Sequence, residues 1–239
     1  MNSPRRSAII AMDGPAGAGK SSVARRLASA LGFTLLDTGA LYRAIALACE
    51  RANVAFDDAA SASAVVEDVV RRGALVIEPD AGSGMLIKLD GQDVGDLIRT
   101  PPLSMGASTV SAIPGVRAAL LDLQRNFAKR GLARGVVAEG RDIGTVIFPD
   151  ADLKIFLTAS VDQRAERRHS ELNERGSMVS LEQTRDEVVA RDKQDEGRAI
   201  APLRRADDAI LVDSSDIDLD AVLARCLELA RERVGNLGE

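Results

Sequence analysis

The sequence predicts an α/β fold in which a parallel sheet is flanked by helices, and three observations lead to this prediction. Residues 8–12 form a continuous apolar run, which is typical of a strand buried on both faces. A glycine-rich loop follows at 14–19, and apolar residues then recur at helical spacing up to residue 31. The same alternation returns over 33–48 and again after residue 135. Such alternation predicts parallel strands joined by right-handed crossovers.

Further elements follow from local patterns of the same kind. Glycine at position 32 predicts the end of the first helix, and Ser160 with Gln163 predicts the start of a later one. We expect strands at 8–12, 33–36, 135–138, 153–157 and 209–212. We expect helices over 41–48, 116–127, 181–192 and 219–234 as well as those two, with loops at 128–134 and 195–202.

The middle of the chain has a different character. Valines at 65–70 predict a helix that ends at Gly73, and residues 74–77 and 85–89 predict two short strands. Asp90-Gly91 is a hairpin turn signal, which is foreign to a parallel sheet. We therefore predict a core formed by 1–59 and 101–239, with a lid at about 160–180, and a small inserted α+β domain at 60–100.

Composition excludes several classes of function. Lys+Arg 31 against Asp+Glu 36 gives a net charge of −5, so the long-range field disfavours general binding of nucleic acid or anionic membrane. Trp 0 and Tyr 1 disfavour base stacking, and no apolar run is long enough to span a bilayer. The chain has a single histidine, which excludes any site that needs two or more histidines.

The cysteines and the first residues indicate the compartment. Cys49 and Cys226 each lie in a helical apolar pattern and are predicted to be buried free thiols. The apolar run after Arg5-Arg6 has only five residues, which is too short for a secretion signal. We expect a cytoplasmic protein, and the lack of an exposed apolar seam predicts a monomer.

One motif carries specific chemistry. Gly14-Pro15-Ala16-Gly17-Ala18-Gly19-Lys20-Ser21-Ser22 matches G-x-x-x-x-G-K-[ST] between a strand and a helix, the P-loop pattern. Its glycines let backbone N–H groups surround the phosphates of ATP, while Lys20 reaches the β/γ-phosphates and Ser21 ligates Mg²⁺. The alternative interpretations are a chance glycine-rich turn and a dinucleotide-binding loop. This loop lacks the last glycine of the dinucleotide-binding pattern.

Arginines indicate which class of P-loop protein this is. Five lie at predicted strand ends or loops: Arg43, Arg117, Arg141, Arg191 and Arg198. Three more lie on the helix after Ser160: Arg164, Arg167 and Arg168. Phosphoryl transfer needs such cations on the migrating and the accepting phosphates. The chain lacks the N-K-x-D guanine motif, which disfavours a GTPase. For the helical set, a solvated charged face is the alternative.

Four segments together resemble the bacterial cytidylate kinases, which are nucleoside monophosphate kinases. The segments are 13–22, 36–43, 139–149 and 191–203. The parts most specific to that family are Glu139-Gly140-Arg141-Asp142-Ile143-Gly144-Thr145 and Arg191-Asp192-Lys193-Gln194-Asp195. The resemblance extends from about Ala8 to the last helix. Thr38 stands where many relatives have serine, which keeps the hydroxyl. The hairpin insertion resembles the enlarged monophosphate-binding domain of that family.

The resemblance implies a role for each matching residue. Arg43, Arg141 and Arg191 would hold the α-phosphate of the acceptor, with Asp195 on its ribose. Ser108, Arg117, Asp142 and Arg198 would surround the cytosine, and Asp37, Thr38 and Tyr42 would line the same pocket. Arg164, Arg167 and Arg168 would belong to a lid that closes on ATP, so that Lys20, Arg141, Arg164, Arg168 and Arg191 form the catalytic set.

Physical chemistry agrees with part of this assignment. Cytosine presents an amine donor beside acceptors, so the Asp142 carboxylate could accept from the amine while an arginine donates. Arg141-Asp142 could instead be a surface pair, and Asp13 and Asp37 could cap strand ends or contact Mg²⁺ through water. The expected reaction is transfer of the γ-phosphoryl of Mg·ATP to CMP or dCMP. The alternatives are another acceptor (UMP, AMP or a small alcohol such as shikimate) and an ATP-sensing module without turnover.

Overall fold

The computed structural model describes residues 7–80, 84–129, 134–174, 176 and 178–234. Its elements begin with a strand, a helix and a second strand and helix, as the sequence predicts. In order they are β1 (Ala8–Asp13), α1 (Lys20–Leu31), β2 (Thr34–Asp37), α2 (Thr38–Arg51), α3 (Ala59–Arg71), β3 (Leu75–Pro79), β4 (Met85–Leu89), β5 (Gln92–Asp93), α4 (Pro101–Val110), α5 (Pro114–Lys129), β6 (Gly135–Gly140), a π-helical segment (Ile143–Ile147), β7 (Leu153–Thr158), α6 (Val161–Glu174), α7 (Leu181–Glu196), β8 (Ile210–Asp213) and α8 (Leu219–Val234).

Five strands form one sheet in the order β2-β6-β1-β7-β8. The pairs β2–β6, β1–β7 and β7–β8 are parallel. Ile10, Ala11 and Met12 of β1 are fully buried, which confirms the prediction of a strand covered on both faces. The predicted α/β class with a parallel sheet flanked by helices is therefore confirmed.

The predicted hairpin is also present. β3 pairs with β4 and β4 with β5, both antiparallel, in a separate three-stranded sheet. Asp90 and Gly91 join β4 to β5 with φ of 50° and 79°, the left-handed conformation that a tight hairpin turn of this kind needs. The predicted division into a core at 1–59 and 101–239 and an insert at 60–100 stays a prediction.

The chain divides into two compact units. One unit contains 1–9 and 28–139, with the hairpin, α2 to α5 and the β2–β6 pair. The other contains 10–27 and 140–239, with most of β1 and of α1, the glycine-rich loop, β7, β8 and α6 to α8. Cys49 in the first unit and Cys226 in the second are buried free thiols, as predicted. No helix in the described part of the chain is long and apolar enough to cross a membrane.

One helix was not predicted, and one expected loop is wrong in part. No element was predicted at α4, where Thr100 caps the helix by accepting from the Leu103 N–H, and prolines occupy its first positions, where no N–H is needed. The loop expected from 195 is helical up to Glu196, since Asp195 is bonded to the arginines described below. Residues 128 and 129 of the expected 128–134 loop end α5, and 130–133 lie outside the described residues.

Asp13, the last residue of β1, fixes the start of the π-helical segment. Its Oδ1 accepts from the Ile143 N–H and its Oδ2 from the Gly144 N–H, each at 2.7 Å. Burial raises the pKa of this carboxyl to about 6, although the two N–H donors oppose the rise. A buried carboxylate thus connects the strand before the glycine-rich loop to the segment after β6.

Gly14 tolerates no side chain. Its φ is +148°, and a Cβ placed there would lie 1.9 Å from the Leu157 carbonyl oxygen of β7. We expect Gly14→Ala to lower the free energy of unfolding by at least about 3 kcal/mol, because strain and a backbone clash add. Urea denaturation measures the loss.

Gly32→Ala is the matched control. Gly32 also has a positive φ, +62°, but a Cβ there meets nothing within 4 Å. Only the conformational cost of about 1 kcal/mol then applies. Equal losses for the two variants would show that the contact with Leu157 does not matter.

The raised pKa of Asp13 predicts a pH dependence of stability. Between an ordinary value of 3.8 and about 6 the folded chain holds a proton that the unfolded chain has lost, so this carboxyl's contribution to stability falls as pH rises. We expect the unfolding free energy of the unmodified chain, relative to Asp13→Asn, to decrease by on the order of 3 kcal/mol from pH 4 to 7. Urea titrations at each pH and ¹³C NMR of the carboxyl measure it. A pH-independent difference would contradict the burial effect.

Candidate active site

The glycine-rich loop between β1 and α1 has the geometry of a phosphate cradle. Gly14, Gly17 and Gly19 all have positive φ, which lets successive peptide groups turn the same way. Lys20, the first residue of α1, is buried, and its Nζ donates to the Pro15 carbonyl at 2.6 Å. Ser21 and Ser22 follow in the first turn of α1 and are exposed. A cation and a helix N-terminus therefore lie at one loop, as the motif predicts.

Arg164 of α6 is packed against this loop. Its side chain is 5% exposed, and it pairs with both carboxylate oxygens of Asp192 of α7, at 2.9 and 2.6 Å. It also donates to the Ala16 carbonyl of the loop at 3.1 Å. The interpretation of the arginines on this helix as a solvated face is wrong for Arg164, because burial removes it from solvent.

The other two arginines of α6 have different partners. Arg167 donates to the carbonyl and to the hydroxyl of Ser214, which follows β8. Arg168 pairs with Glu171 near the surface. The sequence pattern also predicts Arg175 on this helix, and that residue lies outside the described residues. The three arginines therefore hold three separate places rather than a common one.

A second group of cations surrounds Asp195 near the end of α7. Asp195 is 1% exposed and accepts from Arg141 Nε at 2.7 Å and from Arg198. Burial opposes its charge, but Arg141 and Arg198, with Arg191 in support, hold the pKa of the carboxyl below its ordinary value. The structure therefore joins Arg141, Asp195 and Arg198 in one buried ion cluster, with Arg191 close enough to act on the same carboxylate.

Asp142 comes directly after Arg141 and is 3% exposed. It precedes the π-helical segment, but its side chain does not cap that segment. π-Helical turns often occur at functional sites. The alternative of an exposed Arg141–Asp142 surface pair is wrong, since Asp142 is buried and Arg141 is bonded to Asp195.

The other compact unit holds the remaining predicted residues at the start of α2. Asp37 caps α2 by accepting from the Ala40 N–H at 2.9 Å, and its other oxygen accepts from Arg43 Nη2 at 3.2 Å. Thr38 donates its hydroxyl hydrogen to the Glu139 carbonyl of β6. Asp37 therefore combines the predicted capping with a hold on the Arg43 guanidinium.

Tyr42 and Arg117 lie together in that unit. The Arg117 guanidinium carbon is 5.7 Å from the centre of the Tyr42 ring, a cation–π distance, and Arg117 Nη1 donates to the Ser111 carbonyl. Ser108 lies on α4, which contacts α2, and all three side chains are buried. Polar groups held in place in this way can recognise a polar ligand without rearranging.

Two residues that support the loop were not predicted: one acts through Arg164 and the other contacts the loop directly. Asp192 lies inside the quoted Arg191–Asp195 segment, but nothing in its spacing reveals Arg164 as its partner. Ser214 donates to the Ala18 carbonyl at 3.3 Å from a position after β8, far away in the chain. A polar residue directly after a buried parallel strand is the sequence signal that could have found Ser214.

Comparisons with known proteins agree with this geometry. The family described as "Cytidylate kinase" matches residues 10–232. A curated cytidylate kinase of Geobacter sulfurreducens is 48% identical over 96% of this chain and 95% of its own length. That of Carboxydothermus hydrogenoformans is 48% identical over 92% of this chain and 96% of its own.

A solved structure supports the fold alone. An uncharacterized protein from Eubacterium ventriosum aligns with a TM-score of 0.51 and 12% identity, over 95% of this chain and 99% of that one. The family match covers the glycine-rich loop, the Asp195 ion cluster and the residues of α2 alike, and the curated relatives match over nearly their whole length. The chain belongs to the cytidylate kinase family.

Proposed function

We propose that this chain transfers the γ-phosphoryl group of Mg·ATP to CMP or dCMP, giving ADP and CDP or dCDP. The observation that carries the proposal is membership of the cytidylate kinase family over residues 10–232. The buried Arg141–Asp195–Arg198 cluster adds support, because a kinase needs cations for the acceptor phosphate besides those of the ATP loop.

The donor side consists of residues 14–22. Backbone N–H groups of the loop surround the phosphates, and Lys20 leaves the Pro15 carbonyl to bind the β/γ-phosphates. Ser21 fits a Mg²⁺ ligand, since it is an exposed hydroxyl at the N-terminus of α1 and Mg²⁺ prefers oxygen. When bound, Mg²⁺ neutralises phosphate charge.

The acceptor side uses three arginines for the α-phosphate: Arg43, Arg141 and Arg191. Asp195 takes the ribose hydroxyls and exchanges part of its hold on Arg141 for them. The arginine fork suits a phosphate dianion, and burial strengthens the attraction. Asp37, Thr38 and Tyr42 line the pocket.

Asp142 selects the base. Its carboxylate accepts from the exocyclic amine of cytosine, while Ser108, Arg117 and Arg198 surround the ring. Uracil has a carbonyl at that position and would face the carboxylate unfavourably. A buried polar group left without its partner discriminates strongly.

The reaction needs no general base, because the attacking phosphate oxygen is already ionised. Lys20, Arg141, Arg164, Arg168 and Arg191 contribute cations along the path of the phosphoryl group, and residues at about 160–180 close as a lid that excludes water. In-line positioning supplies the remainder of the catalysis.

The proposal includes a setting for the enzyme. It acts as a monomer in the cytoplasm on small-molecule substrates, without nucleic acid or membrane as partners. Two free buried thiols suit a reducing compartment, and the charge of −5 disfavours anionic polymers.

The test is ADP release from Mg·ATP with CMP, dCMP, UMP, AMP, GMP and shikimate as separate acceptors. Turnover led by CMP and dCMP is expected. Faster turnover with another acceptor would contradict the assignment of the cytosine-binding residues, but it would still show that the protein is a kinase. ATP binding without turnover on any acceptor would favour a sensing module.

Asp142→Asn tests the recognition of the base. The amide is uncharged and replaces one acceptor oxygen by an NH₂ donor, which can also donate to the carbonyl of uracil. We therefore expect kcat/KM for CMP to fall about 100-fold and the preference for CMP over UMP to narrow. The dissociation constant for ATP should not change. Steady-state kinetics with both acceptors and calorimetry with ATP measure these effects.

Asp150→Asn is the matched control, because Asp150 is an exposed aspartate a few residues further along the chain. The Asp150→Asn variant should leave kcat/KM for CMP and the preference for CMP over UMP unchanged. An Asp142→Asn variant that keeps the full preference for CMP over UMP would exclude Asp142 as the selecting group.

A further inference from the structure

The Arg164 guanidinium makes four hydrogen bonds to residues that the structure describes. An arginine can donate five. Nε bonds to the Ala159 carbonyl, Nη1 to the Ala16 carbonyl and to Asp192 Oδ1, and Nη2 to Asp192 Oδ2. Most of its donors are therefore engaged in fixing neighbouring groups.

The bond to Ala16 sets the direction of one peptide group in the loop. The peptide between Ala16 and Gly17 is trans, as are all peptide bonds in the described residues, so its carbonyl and its N–H point in opposite directions. Holding the Ala16 carbonyl against Arg164 therefore directs the Gly17 N–H away from α6. The loop is packed closely there, since a Cβ on Gly17 would lie 3.0 Å from Arg164 Cβ.

Asp192 is what keeps Arg164 in this position. Its two oxygens engage both Nη atoms, and the side chains of the pair are 5% and 15% exposed. A buried guanidinium without its carboxylate is strongly disfavoured and would move toward water or another anion. The bidentate pair also fixes the plane of the fork, which determines whether Nη1 can reach Ala16.

We propose that Asp192 is a positioning residue for ATP: through Arg164 it holds the Ala16 carbonyl and so keeps the Gly17 N–H turned toward the phosphates. The inference rests on the proposed function to the extent that the loop binds ATP. It does not depend on which acceptor is used. Asp192 itself touches neither substrate.

The helix that carries Asp192 gives the effect its specificity. Asp195, one turn later on α7, binds Arg141 and Arg198, which belong to the proposed acceptor site. A change at Asp192 acts on the donor loop, whereas a general distortion of α7 would disturb both sites. The loss of ATP binding relative to the loss of CMP binding therefore distinguishes a positioning role of Asp192 from a general distortion of α7.

The experiment compares Asp192→Asn with the unmodified chain. Calorimetry measures the dissociation constant of a non-hydrolysable ATP analogue with Mg²⁺ and no acceptor, and separately that of CMP. We expect about ten-fold weaker binding of the ATP analogue, the effect of one charge-assisted hydrogen bond, and less than about two-fold for CMP. Thermal unfolding is recorded for each variant.

Two further variants sharpen the comparison. Arg164→Lys keeps the positive charge but lacks the fork that reaches both Ala16 and Asp192, so it should weaken the ATP analogue to a similar extent. If Asp192→Asn does not fold, Asp192→Glu, which keeps the charge but moves both carboxylate oxygens, takes its place in the comparison of the ATP analogue with CMP. Asp186→Asn changes an exposed aspartate on the same helix and should change neither constant.

The outcomes are distinct. If Arg164 acts only as a charge on ATP, Asp192→Asn would release it and leave binding unchanged or tighter, which overturns the inference. Equal losses for CMP and the ATP analogue, or a lower unfolding temperature with unchanged binding, overturn it as well. Failure of the unmodified chain to bind the ATP analogue would instead contradict the proposed function.

Discussion

The close packing of the phosphate loop against β7 and α6 is the constraint on which the candidate site depends. At Gly14 the loop backbone lies against the Leu157 carbonyl of β7, and at Gly17 it lies against Arg164 of α6. A Cβ at Gly14 would lie 1.9 Å from that oxygen, one at Gly17 would lie only 3.0 Å from Arg164, and both glycines have positive φ. The parallel pairing of β1 with β7 brings the ends of these strands together and so sets this distance. Glycine in the loop thus serves contact with the protein as well as contact with phosphate.

Buried charges with partners among the described residues organise the surroundings of the loop. Asp13 accepts from two backbone N–H groups, Arg164 pairs with Asp192, and Asp195 holds Arg141 and Arg198. Buried ions of this kind contribute little net stability, but removing one partner is costly. Their main effect is to fix orientations, which is what an electrostatic catalyst requires.

Helix α7 is central to this arrangement. It begins with a capping box at Ser180 and Gln183, and it has few buried apolar residues along its length. Asp192 and Asp195 bind arginines from α6, from the segment after β6 and from the loop that follows α7. The helix therefore gains its place in the fold from ion pairs, and its polar sequence explains why its last turn was predicted to be a loop.

The sequence alone determined the alternation of strands and helices, the hairpin, the phosphate loop and the family resemblance, because hydrophobic periodicity and glycine spacing are local properties. Helix α4 could also have been predicted, since Thr100 with two prolines is a local signal. Only the tertiary structure decided the partners of the charged residues. Arg164 and Asp192 are 28 positions apart and Arg141 and Asp195 are 54 apart, so their pairing depends on how α6, α7 and the end of β6 pack. A charged residue looks the same in the sequence whether it faces water or a buried partner, and burial decides which of these roles it has.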